Sequence, residues 1–368
     1  MTQPFTVVLA TGGTGGHVFP ALALAREIKR RGGEAIFFTN ALPTHLSEKL
    51  AEFPSHVIPS ASLSGKSPVA PVVAPVTCGL GFVKAWKLMG KLRPDVVVGF
   101  GGYASAPSIA AAIFRRIPFA LHEQNAVLGK SNAAFFSSAS AIGLSFSETL
   151  RMPKKKNGAP PEIVCCGNPV RQEFYDAPPY SPAAPDSPLT LLVLGGSLGA
   201  SAFAAYIPAA LKCLPPEICS RLRVVQQARE AQCELLRQTY AEAGITAEVA
   251  PFFSDVAALM QRADVVVSRA GASSVTEIAA MGRASILLPF PYAAHNHQQH
   301  NAEALERRDA AILLQEKGLS REKLADALRL LLEKDEPRAS MAKAARAFGK
   351  PNAAHELYEL AYACRKTS

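Results

Sequence analysis

From Phe5 to Leu9 the chain is apolar and β-branched; a cluster of glycines follows, and apolar residues then recur at helical spacing from Val18 to Ile28. A second apolar run, Ala35 to Thr39, comes next. A short apolar run, a 3.6-residue period and another run read as strand, helix, strand, the opening of a doubly wound parallel sheet. The pattern resumes with Asp95-Val-Val-Val98, a Gly99–Gly102 turn, and helical spacing over Ala104–Phe114. Pro118-Phe-Ala-Leu121 is a further buried strand that runs into His122-Glu-Gln-Asn125. Periodicity then fails over Ala177–Pro188, whose prolines suit neither helix nor central strand and predict a stiff connector. After it the programme restarts: strand Leu189–Leu194, turn Gly195–Gly199, helix Ala200–Leu211, and later Asp264-Val-Val-Val267 with the turn Ser268–Gly271. In each half the strand with its glycine turn returns as a DVVV strand after roughly 70–85 residues, room for two βα units of ordinary length. Two similar α/β lobes facing one cleft are expected, with a helical tail, Ser320 to Cys364, broken at Gly349-Lys-Pro351.

Composition narrows the class. A chain of 368 residues suits two domains, and 49% hydrophobic with 19% charged residues is globular rather than disordered. The net charge of +9 favours an anionic partner: nucleic acid, a phospholipid surface or a diphosphate. Seven cysteines without C-x-x-C spacing suggest neither a disulfide framework nor a zinc knuckle, and predict a reducing compartment. The N-terminus lacks the basic region of a signal peptide. The longest apolar tract, Val69–Val83, is broken by Pro71 and Pro75 and is too short to span a bilayer, so any membrane contact is peripheral.

Gly12-Gly-Thr-Gly-Gly-His17 lies between a strand and a helix. Glycines admit a ligand close to the backbone, and helix-start N–H groups favour an anion. A tight turn alone would need fewer glycines, so a ligand is the better reading. Neither this turn nor Gly195–Gly199 fits G-x-G-x-x-G, and no acid follows the second strand, which ends Thr39-Asn40. No Gly-Lys-Ser/Thr follows either turn, so NAD and ATP are weak candidates. At a helix start the imidazolium of His17 is disfavoured, which leaves the ring able to accept a proton or merely to bond locally.

Other clusters admit two readings. Ser274-x-x-Glu277 has the spacing of a capping box, a structural role of about 1 kcal/mol, and spacing prefers this to a carboxylate gripping a ribose diol. His295-Asn-His-Gln-Gln-His300 has no interleaved acid or cysteine, and its amides suit sugar hydroxyls better than a metal. Over Leu80–Arg93, Val83, Trp86 and Met89 are expected on one helix face and Lys84, Lys87 and Lys91 on another. That is either a helix packed on its sheet or a surface that adsorbs to an anionic bilayer. Lys154-Lys-Lys156 lacks aromatic neighbours, so nucleic acid is not an expected partner.

Seven motifs in order make the chain resemble the MurG family, N-acetylglucosaminyltransferases that convert lipid I to lipid II in peptidoglycan synthesis. They are Gly12-Gly-Thr-Gly-Gly-His-Val-Phe-Pro20, Gly101-Gly-Tyr103, His122-Glu-Gln-Asn125, Gly167-Asn-Pro-Val-Arg171, Gly195-Gly-Ser197, Ser274-Val-Thr-Glu277 and Gln298-Gln299. The resemblance implies a GT-B fold of two Rossmann-like lobes. Residues 1–170 with the helix of about 345–368 would take lipid I, and 171–344 would hold UDP-GlcNAc. Glu277 would bind the ribose, Gln298 and Gln299 the GlcNAc with Asn125, Ser197 and Arg171 the diphosphate, and Phe253 the uracil. Thr14, Gly15 and Gly16 would face phosphate. His17 is the implied general base and Glu123 the reserve. Leu80, Phe82, Val83, Lys84, Trp86 and Lys87 correspond to the family's membrane-facing patch, which places the enzyme peripherally on the cytoplasmic face of the cell membrane, near other cell-wall synthesis and division proteins. No cofactor or metal is implied. One departure concerns acceptor contacts: Ser64-Gly65-Lys66 stands where the family often has Arg before Gly-Lys. A UDP-GlcNAc epimerase of the same fold and a non-catalytic UDP-sugar-binding scaffold are the rival readings.

Overall fold

A computed structural model describes residues 4–62, 70–154, 160–182, 184, 187–196 and 201–365. The chain divides into two compact units, Met1–Arg171 with Lys350–Ser368, and Gln172–Gly349. The sequence predicts these crossings after residue 170 and near 345.

The first unit is built on strands β1 (Thr6–Thr11), β2 (Glu34–Thr39), β3 (Ser55–Val57), β4 (Val96–Gly99), β5 (Phe119–Glu123), β6 (Ala141–Leu144) and β7 (Glu162–Val164). They form one parallel sheet in the order β3-β2-β1-β4-β5-β6-β7. Val7, Val8, Leu9 and Ala10 are all fully buried, because helices cover both faces; hence the strand is uniformly apolar rather than alternating. Each such valine or leucine contributes about 1.5–3 kcal/mol on burial. The order reverses between β1 and β4, so their carboxyl ends frame the crevice where doubly wound sheets take ligands. Those ends carry the turns Gly12–Gly16 and Gly99–Gly102.

The second unit repeats the scheme with β8 (Leu189–Leu194), β9 (Leu222–Gln227), β10 (Thr246–Ala250), β11 (Val265–Ser268), β12 (Ala284–Leu287) and β13 (Ile312–Leu313), in the order β10-β9-β8-β11-β12-β13. Two βα units separate β1 from β4 and β8 from β11, as the repeated DVVV pattern predicts. The repeated aspartate has a physical reason. Asp95 Oδ2 accepts from Thr6 N at 2.7 Å, and Asp264 Oδ2 accepts from Thr190 N at 2.8 Å. Each carboxylate thus satisfies a backbone donor where the neighbouring strand begins.

Two expectations need correction. The Pro-rich stretch is not the joint between units: the chain crosses ahead of it, and Tyr180 anchors it within the second unit. The Tyr180 hydroxyl donates to Asp264 Oδ1 at 2.9 Å and accepts from Arg338 Nε at 2.6 Å. Proline excludes helix and central strand, but it does not say on which side of a boundary a segment packs. The tail also divides later than expected. Residues 345–349 stay with the second unit, where Arg346 donates to Tyr175 O at 2.6 Å and to Phe174 O at 3.3 Å. The helix Ala353–Ala363 closes the first unit instead, with Leu357 and Tyr358 in its core and Phe5 edge-on to Tyr358 and Tyr362.

Candidate functional site

In the first unit the site begins where β1 ends. Gly12 has φ +143°, and a Cβ there would fall 2.2 Å from Asn40 Oδ1, so only glycine fits. Asn40, which follows β2, accepts from Gly13 N at 2.9 Å and donates to the Tyr103 hydroxyl at 3.3 Å. The residue that looked like a missing ribose acid therefore braces the glycine turn. The helix Gly15–Arg30 starts from Thr14 in an extended conformation with no side-chain cap, and the helix Gly102–Arg115 starts from Gly101 equally uncapped. Both present first-turn N–H groups that have no intrahelical acceptor, the arrangement that receives an anion. Gly101 and Gly102 have φ of +79° and +70°. A Cβ on Gly102 would lie 3.3 Å from His17 Nε2, so this turn lets the imidazole edge stand against bare backbone.

His17, in the first turn of its helix, is held from behind. Its Nδ1 meets Gln124 Oε1 at 2.9 Å. Gln124 Nε2 faces His122 Nδ1 at 2.9 Å and the His122 carbonyl at 3.0 Å, and His122 Nε2 meets Gly167 O at 3.0 Å. His122 and Gln124 are buried. Burial pushes the His122 pKa down to about 4, against the opposing bond to Gly167 O.

Glu123 is next in the chain and does different work. It is buried, and its Oε1 accepts from Asn125 N at 3.0 Å and Asn125 Nδ2 at 3.3 Å. Its Oε2 accepts from Gly129 N at 2.9 Å and Asn132 Nδ2 at 2.8 Å. A carboxylate so occupied clamps the 123–132 segment and has little left with which to take a proton. The geometry therefore speaks against Glu123 as the reserve base. Arg171, the last residue of the first unit's main segment, lies with its guanidinium 5.3 Å from the Phe19 ring centroid.

The second unit offers side chains. Gly196, after β8, has φ +75°; Ser197 lies outside the described residues. The helix after β11 runs Ala272–Met281 from Gly271, with no side-chain cap. Ser274 is thus inside the first turn and Glu277 further along the same helix, so the capping-box reading fails: the helix starts earlier than that spacing assumes. Glu277 and Phe253 are both half-buried. Gln298 Oε1 accepts from Phe290 N at 2.9 Å, which ties the loop after β12 to the helix His297–Glu306. Gln299 Nε2 donates to Glu303 Oε1 at 3.0 Å. The histidines near them diverge: His297 bonds Ala294 O, His300 bonds Glu303, and His295 and Asn296 are left-handed at a kink. Among the described residues no three His, Cys, Asp or Glu side chains group as a metal site.

Several contributors escaped the sequence reading. Asn301, fully buried, donates to Ala270 O at 3.0 Å and fixes the amide-bearing helix to the turn after β11. Arg269, nearly buried, donates to Leu288 O at 3.0 Å and pairs with Glu316. Gln124 and Asn132 are the others. Gln124 lies inside the His122–Asn125 motif, but its role, like those of the other three, comes from a group that the fold brings near.

The long helix Ala70–Leu92 has 23 residues. Ala85 and Met89 are buried against the sheet, whereas Leu80 and Trp86 are 62% and 41% exposed and Val83 is exposed beside them. Met89 therefore does not share the exposed face of Val83 and Trp86: it lies four residues from Ala85, about one turn on, and is buried with it. Lys84 and Lys87 are exposed, and Phe82 stacks edge-on with Phe114 at 5.2 Å. The Arg115 guanidinium covers the Trp86 ring at 4.2 Å. No described helix is long and apolar enough to cross a membrane. Ser64, Gly65 and Lys66 lie outside the described residues, as do Lys155 and Lys156.

Two parallel doubly wound units, each with its ligand-receiving turns at the switch point of its sheet, are the architecture of the GT-B fold. Residues 7–143 match the glycosyltransferase family 28 N-terminal domain, and 190–357 match its C-terminal domain. A UDP-N-acetylglucosamine–N-acetylmuramyl-(pentapeptide) pyrophosphoryl-undecaprenol N-acetylglucosamine transferase of Chelativorans sp. (strain BNC1) is 39% identical over 357 residues, covering 96% of this chain and 94% of the relative. The crystal structure of Acinetobacter baumannii MurG superposes with TM-score 0.77 at 30% identity, covering 98% and 100%. The chain belongs to the MurG family. UDP-GlcNAc 2-epimerase from Neisseria meningitidis bound to UDP-GlcNAc also superposes, with TM-score 0.65 over 96% and 99%, but at 12% identity that likeness is one of fold.

Proposed function

We propose that this enzyme, a hexosyltransferase, moves GlcNAc from UDP-GlcNAc to the C4 hydroxyl of MurNAc in lipid I, undecaprenyl-diphospho-MurNAc-pentapeptide, to give lipid II with inversion. The observation that carries the mechanism is His17, whose Nε2 borders the Gly102 turn while its Nδ1 is held by Gln124. His17 Nε2 takes the proton of the C4 hydroxyl. The oxygen forms the new bond to the anomeric carbon of GlcNAc as the bond from that carbon to the UDP oxygen breaks, through oxocarbenium-like charge as in related hydrolyses. UDP leaves with the electron pair, and the imidazolium returns its proton to water. Uncapped helix-start N–H groups stabilise phosphate charge.

The donor is read onto the second unit. Glu277 takes the ribose hydroxyls, Gln298 and Gln299 the GlcNAc together with Asn125, Ser197 and Arg171 the diphosphate, and Phe253 the uracil; Thr14, Gly15 and Gly16 face phosphate. Gln298 supports this reading because its oxygen is already committed to Phe290 N, which leaves its NH2 donors to meet a sugar oxygen. The exposed Leu80, Val83 and Trp86, with Phe82, Lys84 and Lys87 beside them, suit peripheral docking on an anionic bilayer at the cytoplasmic face, where lipid I and other cell-wall synthesis and division proteins would be met.

The test is labelled UDP-GlcNAc with and without a lipid I analogue. Labelled lipid product appears only with acceptor, and His17→Ala lowers kcat by about 10²–10⁴-fold, the range of a general base. Altered sugar and free UDP from donor alone would mark an epimerase instead. Undiminished turnover by His17→Ala would remove His17 as the base.

A further inference from the structure

The groups behind His17 leave no choice in how their protons are shared. At the far end Gly167 O can only accept, so His122 Nε2 carries the hydrogen and His122 Nδ1 the lone pair. Gln124 Nε2 faces that lone pair and also the His122 carbonyl, a second group that can only accept. Both amide hydrogens are thus committed, and the amide oxygen is the atom turned to His17. An oxygen 2.9 Å from His17 Nδ1 requires a hydrogen on Nδ1. The lone pair of His17 then sits on Nε2, the edge that borders Gly102.

We infer that Gln124 is a positioning residue which, with His122 behind it, locks His17 in the Nδ1–H tautomer and so makes Nε2 the nitrogen that receives the acceptor's proton. A histidine base is ordinarily oriented by a carboxylate, and replacing that carboxylate by an amide in a serine protease triad costs activity through the wrong tautomer. Here an amide serves, because its own orientation is fixed by two acceptors. Burial keeps His122 neutral near neutral pH, so its ring does not gain a second proton and reverse the chain. The acid next in sequence, Glu123, is engaged with Asn125, Gly129 and Asn132 and is not part of this chain of bonds.

The inference rests on His17 being the base, and its test separates the two. In the wild-type enzyme, 15N NMR of labelled histidine, assigned by the loss of the His17→Ala signal, is expected to show His17 with Nδ1 protonated and Nε2 unprotonated. A wild-type spectrum with Nε2 protonated overturns the inference and leaves the base to the turnover assay. Full turnover by His17→Ala overturns the base and leaves the tautomer standing. Gln124→Leu is expected to populate the other tautomer and to lower kcat on the order of 10²-fold at unchanged donor KM, the mark of an interaction used in the transition state. Gln124→Glu retains an acceptor for His17 Nδ1, and its second oxygen can meet His122 Nδ1 only by carrying a proton; it is expected to keep the Nδ1–H form and to recover part of the kcat that Gln124→Leu loses. Equal losses in the two variants, or an unchanged tautomer in Gln124→Leu, would count against positioning and for a packing role.

Discussion

The two units end their central strands in the same place and equip that place differently. In the first, β1 and β4 run into turns with positive φ at Gly12, Gly13, Gly101 and Gly102, so the crevice is floored by backbone. The polar side chains stand behind that floor and serve it: Asn40 braces Gly13, and Gln124 orients His17. In the second, Gly271 after β11 has an ordinary φ of −63°, Arg269 before it is buried in a loop-holding role, and Glu277, Gln298 and Gln299 come from the helices. A shared topology fixes where ligands go. Whether that place offers N–H groups or side chains is decided by a few residues per turn.

The strongest way to break this comparison is to exchange the two carboxylates' fates. Glu123→Ala removes the acceptor of Asn125 N, of Gly129 N and of one of the two Asn132 Nδ2 hydrogens, the other keeping His122 O, at about 1–3 kcal/mol for each donor left without a partner. A loss on the order of 3 kcal/mol is expected by chemical denaturation. Glu277→Ala should cost less stability and raise donor KM instead. If Glu123→Ala kept wild-type stability and lost only turnover, the clamp reading would be wrong and the reserve base would return. The glycines give the next contrast. Gly12→Ala meets Asn40 at once and is expected to cost about 2–3 kcal/mol, since strained backbone and a forced contact add. Gly196→Ala meets no atom of the described residues within 4 Å of its Cβ and should cost the left-handed penalty of roughly 1–2 kcal/mol. Equal losses would show that space does not distinguish the two turns.

These contrasts also mark what could be read from the chain alone. Leu189–Leu194 was legible to its ends, because a strand covered on both faces is a continuous apolar run bounded by turn residues. The glycine turns were legible because positive φ selects one residue type. Gln124 was not: its role depends on His17 and Gly167, 107 residues before it and 43 after, arriving at one spot. Glu123 looked like a base because sequence carries a carboxyl group but not its burial. The Ser274–Glu277 spacing misled because Gly271 starts the helix unaided, and spacing does not say where a helix begins.

A weaker effect tests the repeated aspartates. Asp264 is buried and serves both Thr190 N and the Tyr180 hydroxyl, whereas Asp95 is exposed and serves Thr6 N. Asp264→Ala should therefore cost about 2 kcal/mol and Asp95→Ala about 1 kcal/mol, the range for a lost bond with and without burial. Tyr180→Phe should reproduce part of the Asp264 loss, because it also strips Arg338 Nε of its partner. The denaturation midpoints of the three variants decide it; if Asp95→Ala is the costlier, the second unit's extra partner contributes nothing.

The smallest effect concerns the two tail helices. The helix Ala353–Ala363 is held to the first unit partly through Arg31, which lies 4.2 Å over the Tyr358 ring and bonds Glu359. Arg31 is aimed by Glu27, which also accepts from Arg30 at 2.7 and 2.8 Å. The bond from Arg30, then that from Arg31, hold the Glu27 carboxyl at about 2 against the opposing effect of burial. A carboxyl depressed on folding contributes stability above its ordinary value of 4.5, and that contribution is lost as pH falls from there through about 2. Because Arg30 is mostly exposed, solvent screening leaves on the order of 1 kcal/mol. The preceding helix, Asp335–Phe348, is tied to the second unit by Arg346 on backbone carbonyls, which do not titrate. Acid should therefore raise hydrogen exchange in Ala353–Ala363 before Asp335–Phe348, and Glu27→Gln should show the same exchange already at neutral pH. A wild-type tail that exchanges identically in both helices down to about pH 3 would mean that Glu27 does not set the clamp.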